Sequence, residues 1–114
     1  MAFQCDDNDS STMEEEQTEL SALKSEIENF ANQSECNANT DCQFIGLGSK
    51  PCGGPRGYLV YSTSIDTEKL EQMVADYNQK ETDFNDKWGI MSDCTIAPQP
   101  TSVNCENNTC VAVY

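Results

Sequence analysis

Histidine is missing from this chain altogether, only 6 of its 114 residues are Lys or Arg, and no two cysteines stand as a C-x-x-C pair. Each absence removes a class of function. Without imidazole, a general base has to be a carboxylate, a lysine or a thiolate, and mixed zinc sites lose a standard ligand. Without a close thiol pair, zinc ribbons, treble clefts and thioredoxin-like redox motifs have no seat. The shortage of cations leaves 20 Asp and Glu against 6 Lys and Arg, a formal net charge of −14, which repels phosphate backbones and anionic lipid headgroups. Nucleic acid is therefore an unsuitable partner. No stretch approaches the ~20 apolar residues that cross a bilayer, so any membrane attachment is expected to be covalent.

The glycines carry no phosphate loop: Gly46 and Gly48 lack the third glycine of a dinucleotide fingerprint, and neither Gly48 nor Gly53 leads into Gly-Lys-Ser/Thr. An EF-hand frame also fails, since position twelve is Gln17 or Thr18 when the loop starts at Asp6 or Asp7, and neither frame contains the required glycine. Asp83 and Asp86 share one helix without a cleft to make them an acid/base pair. These readings lead to the expectation of a protein that is not an enzyme and uses no cofactor or metal.

What the chain has is cysteine. Its length fits one domain, and six of its seven cysteines, Cys36, Cys42, Cys52, Cys94, Cys105 and Cys110, fall in the last 79 residues. An even, clustered set in a small domain predicts three disulfides formed in an oxidising compartment. Six cysteines allow 15 pairings, and nothing in the spacing selects one.

Cys5 stands apart, followed by Asp6, Asp7, Asn8, Asp9, Ser10 and Ser11, a polar run suited to a tether over residues 1–12. The stretch resembles the mature start of a bacterial lipoprotein, with Ala2 where Leu is usual and Gln4 where Gly or Ala is usual. The resemblance implies acylation of Cys5, anchoring at the bacterial outer membrane or cell surface, and a signal segment lost ahead of it. Acidic residues directly after the cysteine, as in "CDDND", resemble signals that some Gram-negative bacteria use to send lipoproteins to the outer surface. The region 36–114 is similar to small cysteine-rich domains of unknown function in exported bacterial proteins, with C-x5-C, "PCGG", "SDC" and a final C-x4-C before a short strand. Triplets at Asn8, Asn32 and Asn107 are glycan acceptors if the chain is instead secreted by a eukaryote.

Within the domain, 13–114, residues 13–33 form the first helix. Ser11 or Thr12 caps it, Glu14 or Glu15 completes a capping box, and Leu20, Leu23, Ile27 and Phe30 make its apolar stripe. "DCQFIGLG" and "YLVYS" predict two strands joined through "SKPCGGPRG", whose prolines and glycines are dense turn chemistry. A long helix begins at Asp66 or Thr67, presents Leu70, Met73, Val74, Tyr77, Phe84 and Trp88, and stops at Gly89. Trp88 is the expected anchor of the core. "TSVNC" and "CVAVY" predict two further strands around a four-residue turn, "ENNT".

The fold class expected is α+β: a small antiparallel sheet of about four strands, packed by one long helix and an N-terminal helix and stapled by disulfides. A monomeric, noncatalytic binding module follows, with a protein or small ligand as partner. The candidate binding loop is Ile96, Ala97, Pro98, Gln99 and Pro100, with Arg56. An alternative is an inhibitor of a secreted hydrolase that uses residues 96–102 or the tip 52–56, because a proline-stiffened, disulfide-braced segment loses little entropy on binding.

Overall fold

In the computed structural model the described residues are 12–91 and 94–114. Cys5 and most of the expected tether lie outside them. Helix α1 spans Met13–Asn32. Thr12 starts it: the Thr12 hydroxyl accepts from the Glu15 amide at 3.1 Å and the Glu15 carboxylate accepts from the Thr12 amide at 2.9 Å. This reciprocal box satisfies two amides that a helix start leaves unpaired. Glu14, Glu15 and Glu16 add negative charge where the helix dipole is positive.

Helix α2 spans Thr67–Trp88, with Asp66 accepting from the Lys69 amide and Gly89 closing it in the left-handed region at φ 61°. The two helices run antiparallel. The Trp88 indole N–H, at the end of α2, donates to Glu16 near the start of α1 at 3.1 Å, and Lys87 pairs with the same carboxylate. At the opposite end, Lys69 lies 5.1 Å from the centre of the Phe30 ring.

Strands β1 (Cys42–Leu47) and β2 (Gly57–Ser62) form an antiparallel hairpin in the register Cys42↔Ser62 to Leu47↔Gly57. Phe44 and Tyr58 meet edge to face across it, with ring centres 5.6 Å apart. Strands β3 (Ser102–Glu106) and β4 (Thr109–Val113) form a second hairpin. Its turn is tighter than the four residues expected, because Glu106↔Thr109 still pair and only Asn107 and Asn108 turn the chain, at φ 53° and 64°. Asn tolerates this conformation, which gives the type I′ geometry that matches strand twist. The four expected strands are thus two two-stranded ribbons, β2 lying against β4 and β1 against β3.

The core is built by α1, α2 and the first hairpin. Leu20, Ile27, Ala31, Leu47, Tyr61, Leu70, Val74, Tyr77 and Phe84 form it, and Leu70, Ile27 and Val74 are its most buried apolar side chains. Trp88 is half-buried and seals the edge of this cluster instead of occupying its centre. Its N–H needs a polar partner, and Glu16 at the margin provides one. No side chain of β3 or β4 belongs to the cluster. Three disulfides connect those strands and the segment before them to the rest: Cys36–Cys105, Cys42–Cys110 and Cys52–Cys94, with Cα atoms 5.9, 5.6 and 5.6 Å apart.

Candidate functional site

The site begins at the turn between β1 and β2. Gly53 and Gly54 adopt φ 101° and 83°, and the Gly53 amide donates to the Lys50 carbonyl at 2.8 Å while the Lys50 amide donates to Gly54 at 3.0 Å. A turn so rich in glycine would be mobile if it stood alone. Here α2 holds it through four polar side chains on one helical face. The Asn78 carbonyl oxygen accepts from the Gly48 amide at 2.7 Å, and a Glu81 oxygen accepts from the Ser49 amide at 2.5 Å. Thr82 meets the Ser49 hydroxyl at 2.7 Å, and the Asn85 side-chain amide donates to the Ser49 carbonyl at 2.9 Å. Gly48 must be glycine, since at φ 92° a β-carbon would sit 3.0 Å from Glu81 and 3.1 Å from Arg56.

Arg56, expected in the binding set, is committed to the same support, its Nε donating to Glu81 at 2.8 Å. Glu81 is only 8 % exposed, so this charge-assisted bond compensates a carboxylate taken largely out of water. Burial pushes the nearby Tyr77 hydroxyl above its ordinary pKa, and the Glu81 charge adds to the effect.

From this fixed tip hangs the proline-bearing loop. Cys52 binds Cys94 covalently, and the Lys50 ammonium donates to the next residue's carbonyl, Thr95 O, at 2.5 Å. At the far end the Thr101 amide donates to the Val113 carbonyl at 2.7 Å, and Pro100 is buried. Between these anchors Ile96 is 89 % exposed, Pro98 and Gln99 are exposed and Ala97 is half-buried. The tip 52–56 and the loop, separate candidates in the sequence, are one surface joined by a disulfide. All 4 prolines of the chain, Pro51, Pro55, Pro98 and Pro100, lie on it. Ser49, at the start of the turn, docks on Asn85, close to Trp88 at the end of α2 that meets the start of α1.

Two other features gather charged or sulfur-bearing groups. An open groove of about 260 Å³ between the helices is lined by Glu15, Glu16, Glu19 and Asp83, with Lys80 and Lys87 over Leu20 and Phe84. Hydrogen bonds from Lys87 and then from Trp88 hold the Glu16 carboxyl below its usual pKa, which describes a paired surface charge, not a proton donor poised for chemistry. The sulfurs of Cys36, Cys42 and Cys110 lie within 4.8 Å of one another. All three are in disulfides, so none is a thiolate ready to bind a metal.

Sequence reasoning missed two parts of this arrangement. Lys50 carries no pattern that marks it as a brace. The polar face of α2 does: Asn78, Glu81, Thr82 and Asn85 stand at i, i+3, i+4 and i+7, the spacing of a stripe facing one neighbour. Comparison with known proteins finds no matching family model, no matching curated protein and no matching solved structure. Three disulfides, with no helix among the described residues long and apolar enough to cross a membrane, are compatible with a location outside the cytoplasm.

Proposed function

We propose that this protein is a noncatalytic binding module that acts outside the cytoplasm, anchored to a bacterial cell surface through acylated Cys5 and engaging its partner with the joined tip and loop. The observation that carries the reading is the bracing of residues 94–101. A segment fixed at both ends, with a large aliphatic side chain 89 % exposed between them, keeps apolar area in water that a partner would cover. The tether supports the anchor: once six cysteines pair with one another, Cys5 is the odd thiol, and six polar or acidic positions separate it from the helix cap. Fully extended, that distance is about 25 Å, so the partner would be met close to the anchoring surface.

The test is the protein expressed with its natural signal. Nonreducing intact mass and a peptide map should show acyl chains on Cys5 and the other six cysteines paired, and the protein should enter the detergent phase. Bare Cys5 with complete partition into water would sink the anchor. Capture of a partner on intact cells, competed by the soluble domain but not by a form with Ile96→Asp, would support the loop as the binding surface.

A further inference from the structure

We infer that the loop is a substrate-like inhibitory segment for a serine protease whose primary pocket takes a branched aliphatic side chain, with Ile96 as the anchor and Ile96–Ala97 as the bond presented. This rests on the binding-module reading and names its partner class.

Three features point there. First, one apolar side chain projects between fixed flanks: Cys94 is tied to Cys52, the Thr95 carbonyl is held by Lys50, and Thr101 is held by Val113. A single protruding side chain suits a concave pocket, not a flat surface. Second, Pro98 and Pro100 cannot donate hydrogen bonds, so the loop cannot add as a full strand to a sheet edge. Thr95, Ile96 and Ala97 make up the run without proline between Cys94 and Pro98, and a short stretch of this length is what a protease cleft binds around the scissile bond.

Third, cleavage would release nothing. In the acylation step the enzyme's serine oxygen bonds to the Ile96 carbonyl carbon, its proton passes through the enzyme's base to the Ala97 nitrogen, and the carbon–nitrogen bond breaks. A flexible substrate would then lose its amine half to solvent. Here the half ending at Ile96 stays fastened through Cys94–Cys52, and the half starting at Ala97 stays fastened through Pro100, Thr101 and the disulfides of Cys105 and Cys110. The amine remains beside the acyl carbon at high effective concentration, so it attacks back, reforms the peptide bond and expels the serine. The protein therefore occupies the enzyme without being consumed.

The experiment uses the full oxidised chain against elastase-like, chymotrypsin-like and trypsin-like serine proteases. Competitive, stoichiometric inhibition of the elastase-like enzyme is expected, weakened about 100-fold or more by Ile96→Asp. That exposed position tolerates the change without unfolding. Ile96→Arg should transfer inhibition to the trypsin-like enzyme, which the unaltered protein leaves active. Lys50→Met should raise the rate of net cleavage at Ile96–Ala97 about tenfold by freeing the Thr95 carbonyl. The inference is overturned if no enzyme of the panel is inhibited, or if the loop is cut as fast as an unconstrained peptide of the same sequence. A partner captured on cells whose affinity Ile96→Asp leaves intact also overturns it, while the broader binding role stands. Inhibition by a protein whose Cys5 is bare supports the inference and removes only the anchor.

Discussion

Residues 12–90 supply every side chain of the apolar core, whereas residues 94–114 supply none and bury only Pro100 among the described positions. What the second region has instead is one end of each disulfide. Cys94, Cys105 and Cys110 reach back to Cys52, Cys105's partner Cys36, and Cys42, so every covalent link crosses from the cored region to the coreless one. A two-stranded ribbon is marginal in water by itself, and the chain-entropy contribution of a disulfide closing a loop this long is about 4 kcal/mol. The overlapping loops do not add, but any one exceeds what the few half-buried side chains of β3 and β4 provide. The two halves are therefore stabilised by different physics and should come apart under different insults.

Reduction should produce the largest effect and the sharpest separation. With a dithiol reductant in native buffer, backbone amides of β3 and β4 should lose their protection against hydrogen exchange while those of α1 and α2 keep theirs. The far-UV helical signal should persist. Loss of both regions in one transition would break the comparison, because the second hairpin would then be a member of the cooperative core.

The reverse insult is Leu70→Ala. Leu70 is 0 % exposed and belongs to the core cluster built by α1, α2 and the first hairpin, so the cavity should cost about 2–5 kcal/mol. Denaturant titration of the oxidised protein should show the whole loss in the transition followed by helix, with the disulfides still formed. A cost below about 1 kcal/mol would place the core elsewhere.

These two regions were unequally legible in the sequence, for the same reason that they are unequally held. The helices of the cored part announce themselves locally: Thr12 with Glu15, Asp66, Gly89 and the apolar spacing of Leu20, Ile27, Leu70 and Val74 all act within a few residues. The pairing of Cys36 with Cys105 depends on where the second hairpin docks, across a separation of 69 residues, and no local rule reaches that far. Glu106 and Thr109 look like turn residues by composition, yet they pair because the Asn107–Asn108 turn is short enough to bring them opposite. The α2 stripe of Asn78, Glu81, Thr82 and Asn85 passes for a solvated face, since polar residues at helical spacing usually are one. Its role appears only when the Gly48–Ser49 backbone is set against it.

Glu81→Gln should have an intermediate, regional effect. It removes the charge that Arg56 pairs with and weakens the acceptor for the Ser49 amide, a loss of about 1–3 kcal/mol. The hairpin tip joins the two regions, so the change should loosen Ser49 and the 94–101 loop more than the helices. Exchange rates at Gly48, Ser49 and Thr95 measure it directly. An evenly spread increase, with α1 affected as much as the tip, would show that Glu81 supports the core and not the loop.

The smallest effect expected is where the end of α2 meets the start of α1, with Glu16 receiving Lys87 and the Trp88 indole. Hydrogen bonds from these two groups, and then the Lys87 charge, hold the Glu16 pKa below its ordinary value of 4.5. A carboxyl whose folded pKa is depressed stabilises the fold above its unfolded pKa and loses that contribution as pH falls through the folded value. The contact should thus be complete at neutral pH and fade below about pH 4.5. Because the pair is exposed to solvent, salt should weaken it. An NMR titration following the Glu16 carboxyl and the Trp88 indole proton should show both moving together below pH 4.5, with Lys87→Met returning the midpoint toward the ordinary value. If the indole proton shifts without Glu16, the helix ends are joined by packing alone.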